Sequence, residues 1–373
     1  MFSNPHQVCY SHSMNKTLQT FLDLVRINSV SGDEGRIGLF LETKLLSLGL
    51  STSWDEGGNL YAYLPGEGET ILLSAHMDTV PLAFDVEPLV EEGRIHTGGK
   101  TALGADDKAA IAAILTVLQA IQEEKLPHPN LVILFSVQEE LGLQGIAHVD
   151  TTMLSDVDHG YVFDAEGPVG TFITAAPGSI KLDVTFEGKG AHAGFCPEAG
   201  ISAIQMACDA VTSMRLLRID EQTTANVGSF MAPGSRNIVC DKATLSLEAR
   251  SLDPKKLLAQ VAHMKGCLEE AASKHGGEVS IVEELLYEAY SLDTTSSGFA
   301  LLRNACTILG LPYRERPTLG GSDANVLNAK GIPTIVCTTG YEAPHTTNES
   351  IQVDQLLILT SLVKELATRK ERA

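Results

Sequence analysis

The stretch Ile71-Leu72-Leu73-Ser74-Ala75-His76-Met77-Asp78 is an apolar run of strand length that ends in a histidine and a carboxylate two residues apart. Strand side chains alternate between faces, so positions i and i+2 point the same way. His76 and Asp78 are therefore expected to project together from the C-terminal end of a buried strand, where open α/β sheets place their ligands. Standing alone, the pair would read equally well as a half-buried histidine beside a solvated aspartate. It does not stand alone. Gly104-Ala105-Asp106-Asp107-Lys108, Gln138-Glu139-Glu140, Asp164 and His345 each also follow an apolar run.

Outward from this stretch, strands alternate with helices. Leu131 to Val137 reads as a buried strand delivering Glu139 and Glu140, and Tyr161-Val162-Phe163 as a shorter one delivering Asp164. Asp107 to Gln122 carries Ile111, Ile114, Leu115, Leu118 and Ile121 on one face, a helical period. Gly35 to Leu48 and Val353 to Thr368 read as further helices, and Ile332 to Val336 as another buried strand. This alternation predicts an α/β fold with a mostly parallel mixed sheet flanked by helices.

The character changes near Pro177-Gly178. From Ser179 to Glu187, Ile180, Leu182, Val184 and Phe186 alternate with Lys181, Asp183, Thr185 and Glu187, the mark of a strand with one exposed face. A helix around Gly200 to Leu216 follows, then strands at Thr223 to Phe230 and Lys242 to Ser251, a helix at Pro254 to His275 and a strand at Glu278 to Tyr287. That order is ferredoxin-like. Residues 178–290 are expected to form an α+β domain inserted into a catalytic domain made of 14–177 and 291–373. Residues 1–13 read as a disordered or extra N-terminal tail, with Met14 as an alternative start.

A chain of 373 residues with 44% hydrophobic and 20% charged residues is an ordinary globular protein with ample material for a core. A net charge of −20 argues against a nucleic-acid partner or an anionic membrane surface. No apolar run reaches the roughly 18 residues needed to span a bilayer. Seven cysteines, odd in number and without a CxxC pair, suggest a reduced, cytoplasmic setting. Cys208, Cys267, Cys306 and Cys337 read as inert core thiols.

Histidines and carboxylates at strand ends form an N/O donor set for zinc or a similar divalent ion. A single catalytic zinc needs three protein ligands, and five candidates (His76, Asp106, Glu140, Asp164, His345) exceed that number. If one carboxylate bridges, each of two metals receives three ligands. Glu139, beside Glu140, is then the natural general base for an activated water.

These motifs resemble those of the two-zinc exopeptidase and deacylase family that includes peptidase T, carboxypeptidase G and the acylamino-acid deacylases, and above all its peptidase T-like branch. The resemblance extends from Met14 to the C-terminus. It is carried by Ser74-Ala75-His76-Met77-Asp78-Thr79-Val80, Gly104-Ala105-Asp106-Asp107-Lys108, Gln138-Glu139-Glu140-Leu141-Gly142, Asp164-Ala165-Glu166-Gly167 and Ala343-Pro344-His345-Thr346-Thr347-Asn348-Glu349. It implies that His76, Asp106 and Asp164 hold one zinc, and Glu140, Asp106 and His345 the other, with Asp106 shared. Cobalt or manganese could substitute. It further implies that Asp78 orients the His76 ring and that Glu139 serves as base and proton shuttle.

The inserted domain adds Gly188-Lys189-Gly190-Ala191-His192-Ala193-Gly194, similar to the lid motif whose histidine steadies a tetrahedral oxyanion, in dimeric relatives across to the partner subunit. Arg250 stands where relatives grip a substrate carboxylate, and Asn226, Gly320 and Gly321 resemble further substrate contacts. By analogy the chain is expected to act on short peptides and to pair as a homodimer through the lid domain.

The expected activity is that of a zinc aminopeptidase or tripeptidase cutting the N-terminal bond of short peptides. Asp164, where relatives carry Asp or Glu, tilts toward that action. A carboxypeptidase, dipeptidase or N-acyl-amino-acid deacylase of the same family is the alternative. A non-catalytic binding protein of this fold would have lost ligands, whereas all five and the base are present. A nucleotide-binding oxidoreductase would need a GxGxxG or P-loop string at a strand-helix junction, and the sequence has neither.

Overall fold

A computed structural model describes residues 16–368. The expected tail, 1–13, and Met14 lie outside the described residues. The chain divides into two compact units: one holds residues up to Thr174 with Leu292–Pro317 and everything from Ser322, the other Ala175–Ser291 with Thr318–Gly321.

The first unit is built on the apolar runs. In its sheet the strands lie in the order Ser51–Trp54, Leu60–Leu64, Asn130–Ser136, Thr70–His76, His159–Ala165, Thr334–Thr338 and Thr171–Ala176. Asn130–Ser136, Thr70–His76, His159–Ala165 and Thr334–Thr338 are mutually parallel; Leu60–Leu64 and Thr171–Ala176 flank them antiparallel, and Ser51–Trp54 pairs antiparallel with Leu60–Leu64. All seven residues of Thr70–His76 are buried, as a central strand covered on both faces requires. Helix Ala105–Glu124 packs on this sheet and helix Val353–Ala367 packs on Ala105–Glu124; Ile111, Ile114, Leu118, Leu359 and Leu362 are all inaccessible to solvent. Each such side chain contributes about 1.5–3 kcal/mol by leaving water. A smaller antiparallel sheet joins Tyr341–Glu342, Ser350–Gln352, Arg94–His96 and Leu89–Glu91.

The helix expected from Asp107 spans Ala105–Glu124, but Asp106 (φ −79°, ψ 102°) and Asp107 (φ −117°, ψ 25°) are not helical. Its regular turns begin after them, so the two aspartates belong to a loop.

In the second unit the antiparallel strands Thr223–Met231, Lys242–Ser251, Gly178–Glu187 and Glu278–Tyr287 lie side by side in that order, with the short strand Leu217–Arg218 outside the first. Sequential strands 1 to 4 thus lie as 2-3-1-4, the ferredoxin-like arrangement. Ile180, Leu182, Val184 and Phe186 turn inward against Met206, Met264 and Leu268 of the two helices, forming this unit's own core. The helix expected over Gly200–Leu216 is shorter, Ala203–Ser213, because Ser202 caps it by accepting the Gln205 N–H at 3.3 Å.

The six described cysteines form no disulfide, and Cys208 is exposed rather than in the core. It lies on the outer face of its helix, whose inner face is Ala203, Met206, Ala207 and Ala210. No helix among the described residues is long and apolar enough to cross a membrane.

Candidate active site

Three adjacent strands deliver the polar residues. His76 closes Thr70–His76 and lies level with Ser136 on the neighbouring parallel strand. Beyond Ser136, Gln138 takes a left-handed conformation (φ 53°) that swings the chain into a single 3₁₀ turn, Glu139–Leu141. On the other flank of the His76 strand, His159–Ala165 carries Asp164 near its end. Asp106 follows Gly104, whose φ of 70° suits glycine. His345 stands in the loop joining Tyr341–Glu342 to Ser350–Gln352 with a φ of 62°. Left-handed non-glycine residues cost about 1–3 kcal/mol each and gather at functional sites; here Gln138 and His345 are two of them.

Asp106 is the hub. Its Oδ1 lies 3.1 Å from His76 Nε2, and its Oδ2 lies 3.2 Å from His345 Nε2. Glu140 Oε1 is 2.8 Å from His345 Nε2, and Asp164 Oδ1 is 3.9 Å from His76 Nε2. Donor atoms of His76, Asp106 and Glu140 all lie within 4.8 Å of one another, as do those of His76, Glu139 and Asp164. The five ligand candidates and Glu139 therefore occupy one cluster, although His345 is more than 180 positions from the next of them in sequence.

Around the cluster a ring of hydrogen bonds fixes the loops. Asp78 lies past the strand end, with its backbone oxygen 3.0 Å and its carboxylate Oδ1 3.4 Å from His76 Nδ1. Its carboxylate accepts the Ser31 hydroxyl at 2.7 Å and the N–H groups of Glu139 and Glu140 at 3.0 and 3.2 Å. Glu34 Oε1 accepts the Gln138 N–H at 3.1 Å, bracing the same turn. The Tyr341 hydroxyl donates to Asp164 at 3.3 Å. Buried Lys108 donates to the Ile27 carbonyl at 2.7 Å, and burial lowers its ammonium to about 7.

The electrostatics call for positive charge. Burial raises the carboxyl groups of Glu139 and Asp164 well above the ordinary range, and the neighbouring charges of Asp164 and Asp106, respectively, push the same way. Burial also pushes Asp323 up to about 6. Hydrogen bonds to Asp106 and Glu140 raise His345 to about 10. Carboxylates crowded with imidazoles out of water are what a divalent cation relieves, and N and O donors of these types suit zinc, cobalt or manganese. The residues fit such ions.

The remaining predicted residues belong to the second unit. His192 is exposed, and its Nδ1 accepts the N–H groups of Gly194 and Phe195 at 3.1 and 3.2 Å. Its ring lies against Phe195, centroids 4.3 Å apart. Arg250, on Lys242–Ser251, presents its guanidinium fork to Glu248, with Nη2 2.9 Å from Oε2. Asn226 stands exposed on Thr223–Met231, opposite Glu248 in the register. Gly320 N–H is bonded to the Thr318 hydroxyl at 3.1 Å. A side chain at Gly321 would strike the Tyr287 ring.

Three carboxylates escaped the sequence reading: Glu34, Asp323 and Glu349. Asp323 accepts the Ser136 hydroxyl, and Glu349 accepts three backbone N–H groups of the Asp106 loop. Two carried a visible signal, since Asp323 follows Gly320-Gly321-Ser322 directly and Glu349 stands inside the His345 motif. Glu34 carried none.

Residues 72–369 match peptidase family M20/M25/M40. The uncharacterized protein YqjE of Bacillus subtilis is 39% identical over 358 residues, covering 93% of this chain and 96% of that protein. The crystal structure of a tripeptidase from Staphylococcus aureus superposes with a TM-score of 0.89 at 38% identity, covering 95% of this chain and 97% of that one. The aminopeptidase PepT of Bacillus cereus gives a TM-score of 0.83 at 35% identity, covering 95% and 98%. The chain is a metallopeptidase of the peptidase T-like branch and belongs to peptidase family M20/M25/M40.

Proposed function

We propose that the protein is a two-metal aminopeptidase of tripeptidase type, cutting the N-terminal bond of short peptides. The observation that carries this reading is Asp106, whose two carboxylate oxygens face two different histidines, each with a further carboxylate beside it. His76 and Asp164 on one side of Asp106, and His345 and Glu140 on the other, would hold two divalent ions, zinc first among them. Bound there, the ions would polarise the scissile carbonyl and acidify a water.

Glu139 is placed to take a proton from the attacking water on its carboxylate and to return it to the leaving amine. Its raised carboxyl suits a group that must hold a proton between the two steps. Asp78 keeps Glu139 and Glu140 in place by accepting their N–H groups. His192 acts as donor to the developing oxyanion. Two N–H groups directed at its Nδ1 favour the tautomer that carries the proton on Nε2, leaving that N–H free to donate. Arg250, Asn226, Gly320 and Gly321 serve as substrate contacts, a role that rests on the resemblance; for Arg250 to grip a carboxylate, Glu248 must yield it. Residues 178–290 acting as a lid and dimerisation domain, and a cytoplasmic setting, belong to the same reading.

The test is turnover of the zinc-loaded protein on free tripeptides, dipeptides, N-blocked dipeptides and acetylated amino acids. Release of the N-terminal residue from free tripeptides is expected. Preference for blocked N-termini would replace this reading with a carboxypeptidase or deacylase.

A further inference from the structure

Glu349 lies four residues after His345 in the same motif and is 1% exposed. Its Oε2 accepts the N–H groups of Leu103 and Gly104 at 2.9 and 3.0 Å, and its Oε1 accepts the Asp106 N–H at 3.1 Å. Its own N–H donates to the Thr346 carbonyl at 3.1 Å, beside His345. One residue therefore fastens together two loops that are 243–246 positions apart. The N–H groups it holds precede the regular turns of the Ala105–Glu124 helix, where no intrahelical carbonyl reaches them.

A neutral side chain could close such a turn with one acceptor. A second ionised oxygen, buried beside the Asp106 carboxylate, is costly unless both oxygens are used. Both are used, and they divide their work: one grips the loop ahead of Asp106, the other Asp106 itself. We propose that Glu349 is a positioning residue of the metal centre, acting on Asp106. By tying the backbone of Asp106 to the loop bearing His345, it sets where the two Asp106 oxygens stand between the histidines. The inference rests on reading Asp106 as the shared ligand of two ions.

The discriminating variant is Glu349→Gln. An amide of the same shape has one acceptor oxygen, so in either orientation its NH₂ confronts at least one of the three N–H donors. The full-length protein is stripped with chelator, refilled from buffered zinc, and its bound zinc counted by elemental mass spectrometry. The melting temperature of the stripped form and steady-state kinetics are measured alongside. Wild type is expected to hold two ions. Glu349→Gln should lose one of them at free zinc levels that fill the wild type, its affinity roughly 10–100-fold weaker. Activity should fall through kcat more than KM, with the stripped form melting near wild type. Glu349→Asp keeps both oxygens and should bind zinc at an intermediate level, and it carries the test if the amide variant fails to fold.

Zinc affinity and kcat unchanged in both variants overturn the proposal, as does a loss confined to the stripped form's melting temperature. A wild type holding a single ion instead overturns the shared-ligand reading, and the proposal with it.

Discussion

The carboxylate of Asp78 accepts the backbone N–H of Glu139 at 3.0 Å, across 61 positions of sequence. The same carboxylate lies 3.4 Å from His76 Nδ1 and also accepts the Glu140 N–H. One buried group thus couples His76, the proposed ligand, to the turn bearing Glu139, the proposed base. Asp78→Asn sets an NH₂ against one of these donors, and kcat/KM should fall roughly 10–100-fold. Kinetics at saturating zinc, with circular dichroism to verify folding, checks this; near-wild-type turnover would remove Asp78 from the positioning role.

Glu139→Gln keeps the shape of the turn and removes the proton acceptor. Turnover should drop by about 10²–10⁴-fold while zinc content stays at the wild-type level. Metal analysis beside the kinetics separates the two effects. If zinc leaves with activity, Glu139 is a ligand rather than a base, a role its place near His76 and Asp164 would allow.

Metal uptake should release protons. Without ions His345 is raised to about 10, so at pH 7 it holds a proton that a ligand nitrogen cannot keep. Affinity should therefore rise with pH between about 6 and 9. For the stripped protein the sign is opposite: a raised histidine stabilises the fold fully below its unfolded value near 6.5, and that support is lost as pH rises through about 10. Calorimetry in buffers of different ionisation enthalpy measures the protons, and melts from pH 6 to 10 measure the stability. Uptake without proton release would contradict the ligand role of His345.

Two glycines should respond oppositely to alanine. A Cβ at Gly145 would collide with the carbonyl of Val137, just before the Gln138 turn, so Gly145→Ala should cost about 1–3 kcal/mol. Gly266 lies inside the helix Pro254–His275 with open space around a Cβ. There alanine should stabilise by about 0.5–1 kcal/mol. Thermal melts of both variants test this, and a stabilised Gly145→Ala would show that the turn relaxes freely.

How much was legible follows the range of the interactions. Lys242–Ser251, Pro254–His275 and Glu278–Tyr287 begin and end where their periodicity and the Asp253 cap say, because those signals lie within each segment. The helix spans Ala203–Ser213 where periodicity predicts Gly200–Leu216, because Ile201, Met214 and Leu216 continue the apolar pattern beyond its two ends. Cys208 faces outward on this helix, and a thiol among apolar residues does not announce which face it occupies.

The sequence by itself determined the elements and the kinds of donor waiting at their ends: imidazoles and carboxylates after apolar runs, which fixes the chemistry available. Tertiary structure alone decided which of them meet. It turned the two oxygens of Asp106 toward two different histidines, and it recruited Glu34, Asp78 and Glu349 to hold backbone N–H groups far away in sequence. Periodicity is a property of neighbours along the chain, whereas a hydrogen bond spanning 243 residues exists only once the sheet has brought the loops together.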